Sequence, residues 1–166
     1  MATVTFEGNT LHLEGEMPKV GQKAPAFTLT ATDLSKKTLA DFAGEALALI
    51  TVPSLDTPVC DLEMRRFNEE AAKLPKCKVA AVSCDLPFAQ ARWCAAANAK
   101  NVTALSAYYD DSFGISYGVW IKELHLLARA VFVIDPAGVI TYTQLVPEVT
   151  NQPDFPPVLE AIKKVI

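Results

Sequence analysis

The run Ala46 to Val52, ALALITV, carries no charge and no helical spacing, the pattern of a strand covered on both faces by helices. Directly after it the period changes. From Pro58 to Leu74, apolar Val59, Leu62, Phe67, Ala71 and Leu74 are interleaved with Asp61, Glu63, Arg65, Arg66, Glu69 and Glu70, which predicts an amphipathic helix closed by Pro75. Val79 to Cys84 repeats the buried-strand pattern. Asp85-Leu86-Pro87 then opens a second helix over Phe88 to Ala99, followed by a short strand, Thr103 to Ser106, and a short helix, Asp111 to Tyr117. Ala130 to Ile134 and Val139 to Leu145 flank Asp135-Pro136-Ala137-Gly138, which predicts a hairpin, and Pro156 to Val165 a closing helix.

The N-terminal part is strand-like. Thr3 to Phe6 and Leu11 to Leu13 flank the turn signal Glu7-Gly8-Asn9-Thr10, predicting a hairpin. A Gly- and Pro-containing link, Met17 to Pro25, leads to a short strand at Phe27 to Thr30 and a helical turn or loop at Thr38 to Phe42. The alternation is that of an α/β fold. No repeat or low-complexity tract interrupts it.

At 166 residues and 51% hydrophobic, the chain fits a single domain spanning 1–166. A net charge of −4 argues against a phosphate-binding surface and hence against nucleic acid as a partner. No stretch approaches membrane-spanning length, and the first residues lack the basic and apolar regions of a signal peptide. With four cysteines and no secretory signal, a reducing, cytoplasmic setting is expected, where a disulfide would be transient and catalytic.

The stretch PSLDTPVC, residues 53 to 60, sets a thiol where strand gives way to helix. Thr57 is a good N-cap and Pro58 suits the first helical position, so Cys60 lies in the first turn. Unsatisfied N–H groups and the helix dipole there favour a negatively charged sulfur, the nucleophilic form. Asp61 and Glu63 oppose this unless their own charge is paired. Arg129, at the head of the apolar strand from Ala130, is the candidate partner and Glu63 the carboxylate it could meet; the plainer reading makes Arg129 an ordinary strand-edge residue. For Cys60 considered singly, an inert buried thiol is the commoner case, and its position is what changes the reading.

Pro53, Thr57 and Cys60 reproduce the peroxiredoxin pattern P-x-x-x-T-x-x-C, and Arg129 in LARAVFVID stands where that family has its active-site arginine. With DLPFAQARWC (85 to 94) and FVIDPAGVITYTQLVPEV (132 to 149), the chain resembles the thiol peroxidase subfamily of atypical two-cysteine peroxiredoxins over nearly its whole length. The resemblance implies a thioredoxin-like fold, a central mixed β-sheet flanked by helices with an N-terminal hairpin extension. It also implies that Cys60 is the peroxidatic thiol, Cys94 the resolving thiol of an intramolecular disulfide, thioredoxin the reductant, hydroperoxides the substrates and the protein a homodimer. Thr57 and Arg129 would hold the peroxide, Pro53 screen the sulfur, and Glu63 support Arg129. No cofactor is implied.

Other readings compete. Cys77 and Cys84 are rival resolving thiols, Cys84 reading as a small core residue and Cys77, between two lysines, as partly exposed. The cysteines with His12 and His125 contain no C-x-x-C or H-x-x-x-H spacing, which argues against zinc and against a thioredoxin-type disulfide exchanger. Both histidines read as surface or packing residues. Trp93 and Trp120 could serve core, substrate wall or subunit contact.

Overall fold

The computed structural model describes residues 1–166. An N-terminal hairpin, β1 (Thr3–Phe6) and β2 (Asn9–Glu14), leads through β3 (Thr28–Ala31) and β4 (Lys36–Thr38) to a 3-10 turn at Leu39–Phe42. Next come β5 (Ala46–Thr51), α1 (Pro58–Ala72), β6 (Cys77–Ser83), α2 (Pro87–Ala97), β7 (Thr103–Ser106) and α3 (Ser112–Ser116). The chain ends with β8 (Trp120–Ile121), β9 (Leu126–Leu127), β10 (Ala130–Ile134), β11 (Ile140–Leu145) and α4 (Phe155–Lys163).

Seven strands form the main sheet in the order β11-β10-β5-β6-β7-β3-β4. β5, β6 and β7 run parallel, and the outer pairings are antiparallel. The sheet is thus mixed. Every residue of β5 is buried, as its unbroken apolar run requires, with Leu47 and Leu49 facing one core and Ala46, Ala48 and Ile50 the other. The first core is closed by Leu13, Phe113, Tyr117, Trp120 and Leu127, from the hairpin, α3 and the β8–β9 region. The second is closed by α1 and α4, where the rings of Phe67 and Phe155 lie 5.0 Å apart. Trp93 packs onto that second core, so α2 shares the face of α1, as two successive right-handed crossovers demand.

Three short strands depart from the sequence reading. Lys36–Thr38 continues the sheet as β4, and the segment Glu123 to Arg129, for which the sequence pattern predicts no element, includes β9, which turns back on β8 through His125 at φ +54°. β8 also pairs with β2, Leu13 opposite Ile121, so the N-terminal hairpin grows into a four-stranded sheet of its own. Two-residue strands carry too few side chains to show a period. Gly15 lets this sheet seat on α3: at φ +81°, a Cβ there would lie 1.9 Å from the Ile115 carbonyl oxygen. Cys77, expected to be partly exposed, is buried because β6 starts there, pairing it with Ala46.

Candidate active site

α1 begins where the expected signals put it. Thr57 is the N-cap with extended backbone, Pro58 follows, and the Thr57 Oγ1 accepts a hydrogen bond of 3.1 Å from the Cys60 N–H. Cys60 is wholly buried, its side chain among those of the second core. Pro53 is buried in the same loop between β5 and α1. The register of β10 against β5 explains why a residue so far along the chain arrives here. Ala130 pairs with Thr51, so Arg129 leaves the sheet beside Val52, where the loop to α1 starts.

Arg129 is 1% exposed, which removes the strand-edge reading. Its Nη1 donates to Glu63 Oε2, a buried ion pair, while Nε and Nη2 both donate to the Val149 carbonyl, at 3.1 and 2.9 Å. Glu63 stands three residues after Cys60, on the same side of α1, so the pair brings the guanidinium to the helix face that carries the thiol. Three of the five guanidinium N–H groups are used, and the remaining two donate to no protein group. Burial raises Glu63 to about 7, outweighing the opposing pull of Arg129, and its Oε1 has no hydrogen-bond partner. Asp61, the other carboxylate expected to oppose a thiolate, is paired with the Arg65 Nε at 3.0 Å.

The Val149 carbonyl is itself braced. Val149 N–H donates to Thr5 O at 2.8 Å, and Thr5 N–H to Pro147 O at 2.8 Å, which lays β1 alongside the segment that supports Arg129. Glu148 closes the join. Its carboxylate accepts from the Thr5 hydroxyl, the Glu7 N–H at 2.8 Å and the Thr150 hydroxyl at 2.8 Å, and the hydroxyl of Thr5 above all holds it down at about 2.

A second anchor lies at the other side of the loop. Asp85, just after β6, accepts from the Ser54 hydroxyl at 2.6 Å, the Leu55 N–H at 2.8 Å and the Ser83 hydroxyl at 2.7 Å. Ser83 in turn accepts from buried Gln90 of α2 at 3.0 Å. Neither Asp85 nor the Val149 carbonyl was singled out from the sequence. For Asp85 a signal existed, an acidic residue directly after an apolar strand; for a backbone carbonyl there is none.

Cys94 lies on α2, half-buried, and burial pushes its thiol up. Burial likewise pushes Cys77 and Cys84 up to about 11, with Glu45 and Asp85 adding to it. All four cysteines are free thiols. His12 stands at the surface with its Nδ1 2.5 Å from Glu123 Oε1, and His125 lies against Trp120, ring centres 5.6 Å apart. Trp120 is a core residue, whereas the Trp93 Nε1 donates to Asp61 Oδ1 at 2.7 Å.

A capped cysteine at a helix start, with a buried arginine delivered by an antiparallel neighbour of the preceding strand, is a thiol site on a thioredoxin-like sheet. The Redoxin family profile accordingly matches residues 19–162. The chain is 53% identical over 163 residues to the thiol peroxidase of Halalkalibacterium halodurans, covering 98% of each chain. It is 49% identical over 166 residues to that of Bacillus subtilis, covering 100% of this chain and 99% of the other. The fold superposes on a peroxiredoxin-like protein from Aquifex aeolicus with TM-score 0.94 at 42% identity, over 100% and 98% of the two chains. A thiol peroxidase from Chromobacterium violaceum, 22% identical, shares the fold with TM-score 0.90 over 98% and 95%. The chain belongs to the thiol peroxidase family, and is a peroxiredoxin-type enzyme, a thiol-dependent peroxidase. No helix is long and apolar enough to cross a membrane.

Proposed function

We propose that the chain reduces hydrogen peroxide and organic hydroperoxides with Cys60 as peroxidatic thiol and Cys94 as resolving thiol, thioredoxin returning the pair to dithiol. In the first half-reaction the Cys60 thiolate attacks the nearer peroxide oxygen. The O–O bond breaks, sulfur takes the hydroxyl as a sulfenic acid, and the leaving oxygen gains a proton to depart as water or alcohol. Sulfur gives up two electrons and the peroxide accepts them. The two N–H groups of Arg129 left unused by Glu63 and Val149 meet the charge that moves onto the leaving oxygen, and this is the observation that most supports the reading. Thr57 accepts from the Cys60 N–H, its hydroxyl turns from the Ser54 carbonyl, to which it donates at 3.3 Å, toward the oxidant, and Pro53 keeps the sulfur dry.

In the second half-reaction the Cys94 sulfur attacks the sulfenic sulfur, an S–S bond forms, and the hydroxide leaves as water. A thioredoxin dithiol then supplies two electrons by exchange. This capture precedes irreversible oxidation of Cys60 and fits a role in antioxidant defence in the cytoplasm, with the protein acting as a homodimer. The pairing rests on the family pattern around Cys94, and on Cys77, buried, and Cys84, half-buried, both being pushed up to about 11.

The test is peptide mapping by mass spectrometry after one equivalent of peroxide, unoxidised thiols being blocked. A Cys60–Cys94 linkage is expected. Cys60→Ser is expected to abolish peroxide-dependent thioredoxin oxidation, and Cys94→Ser to keep the first half-reaction while losing turnover. Peroxide consumption unchanged in Cys60→Ser overturns the assignment, as does a linkage through Cys77 or Cys84.

A further inference from the structure

α1 and α2 are joined by one side-chain hydrogen bond, from Trp93 Nε1 to Asp61 Oδ1 at 2.7 Å. Its two ends are the residue after Cys60 and the residue before Cys94. The acceptor is charged and held in place by Arg65, whose Nε donates to both carboxylate oxygens at 3.1 and 3.0 Å, so the bond is of the stronger, charge-assisted kind. Consecutive residues of a helix point about 100° apart. While Trp93 and Asp61 face each other, the thiols beside them are therefore turned away from the line joining the helices. A disulfide needs Cα atoms within about 7 Å and sulfurs that face one another, which one of the two segments reaches by unwinding.

We infer that the Trp93–Asp61 hydrogen bond is a latch that must open before Cys94 captures the Cys60 sulfenic acid, and that it thereby sets how readily excess peroxide overoxidises Cys60. The inference rests on the Cys60–Cys94 pairing proposed above. The sulfenic acid has two fates, attack by Cys94 to give disulfide and water, or attack on a second peroxide to give sulfinic acid and alcohol. Slower unlatching favours the second. Trp93 acts through the helices and is a positioning residue.

Trp93→Phe keeps the ring and removes the N–H. The rate of disulfide formation, followed by rapid quench and mass spectrometry, is expected to rise about tenfold to a hundredfold, the span a hydrogen bond to a charged group implies. The peroxide concentration that converts half of Cys60 to sulfinic acid is expected to rise by the same factor, while sulfenic acid forms at the unaltered rate. Asp61→Asn, which weakens the acceptor, should move both readouts the same way. The chain has two tryptophans, so Trp120→Phe leaves Trp93 as the sole tryptophan, excited selectively at the red edge of the absorption band. Its fluorescence should change with the disulfide step and stay constant through the sulfenic step.

Wild-type mapping separates the failures. A linkage other than Cys60–Cys94 overturns the pairing and the latch together. A correct linkage whose rate stays within twofold in both variants, or a Trp93 signal that has not changed by the time the disulfide has formed, overturns the latch alone.

Discussion

The Arg129 guanidinium donates twice to the carbonyl oxygen of Val149, from Nε at 3.1 Å and from Nη2 at 2.9 Å. This fork fixes the plane of the cation, and with Glu63 on Nη1 it decides which N–H groups stay unpaired. A lysine carries the same charge as a single point and has no such plane. Arg129→Lys is expected to slow sulfenic acid formation by roughly 10²-fold, the loss typical of an aimed donor, with stopped-flow measurement of the first half-reaction as the check.

Removing the cation altogether has a pH-dependent consequence. Burial already raises Glu63 to about 7 against the pull of Arg129, so the folded protein binds this proton more tightly than the unfolded chain does. Stability from this group therefore declines as pH rises above the ordinary carboxylate value of 4.5. In Arg129→Met the pull is gone and the decline continues past pH 7. The variant, which also loses both bonds to the Val149 carbonyl, should be less stable than wild type throughout, and its shortfall should widen by about 1 kcal/mol between pH 7 and pH 8, as measured by urea unfolding. Measured against Glu63→Gln alone, Glu63→Gln combined with Arg129→Met should show a shortfall that does not change with pH.

Glu148 runs the other way. Held at about 2, mainly by Thr5, it binds its proton less tightly when folded, so it stabilises above its ordinary 4.5 and ceases to do so as pH falls toward 2. Glu148→Gln should be less stable than wild type at pH 7, and the gap should close between pH 4.5 and 2 in urea melts. Because β1 backs the Val149 carbonyl, the same variant should also lose severalfold in the first half-reaction.

Thr57→Val deletes the oxygen that accepts the Cys60 N–H and should lower stability by about 1 kcal/mol. Thr57→Ser retains the cap and should recover most of both stability and peroxide rate, checked by thermal unfolding and a thioredoxin-coupled assay.

Cys77 and Cys84, raised to about 11, should alkylate slowly at pH 8. Cys77→Ala and Cys84→Ala are expected to keep peroxidase turnover within twofold, checked in the same assay.

The parts of the site legible in the sequence were those set by neighbours along the chain. The run from Ala46, the Thr57-Pro58 start signal and the charged face of α1 place Cys60 without reference to any distant residue. Arg129 was legible as a charge out of place before an apolar strand, and the β10–β5 register supplies the reason it lands beside the thiol loop. What the sequence hides are relations between distant segments that leave no period. The Val149 carbonyl can be any residue's, Asp85 looks like a turn former, and the pairing of β2 with β8 rests on two residues of each. Trp93 could have served several purposes until its indole was found on Asp61.

The main sheet ends at one side in β4, three residues long with Lys36 and Lys37, and at the other in β11, whose start is overlaid by residues 21–23 through Gly21 N–H to Ile140 O and Ile140 N–H to Gln22 O, both 2.8 Å. β4 is too short, and β11 too covered at its start, to offer a full-length row of bare amides for a neighbouring molecule to extend. Under the proposed cycle, helices over Met64 and Phe67 loosen repeatedly, and that greasy surface would otherwise invite clumping. Guarded margins let the protein be oxidised many times over and stay dispersed.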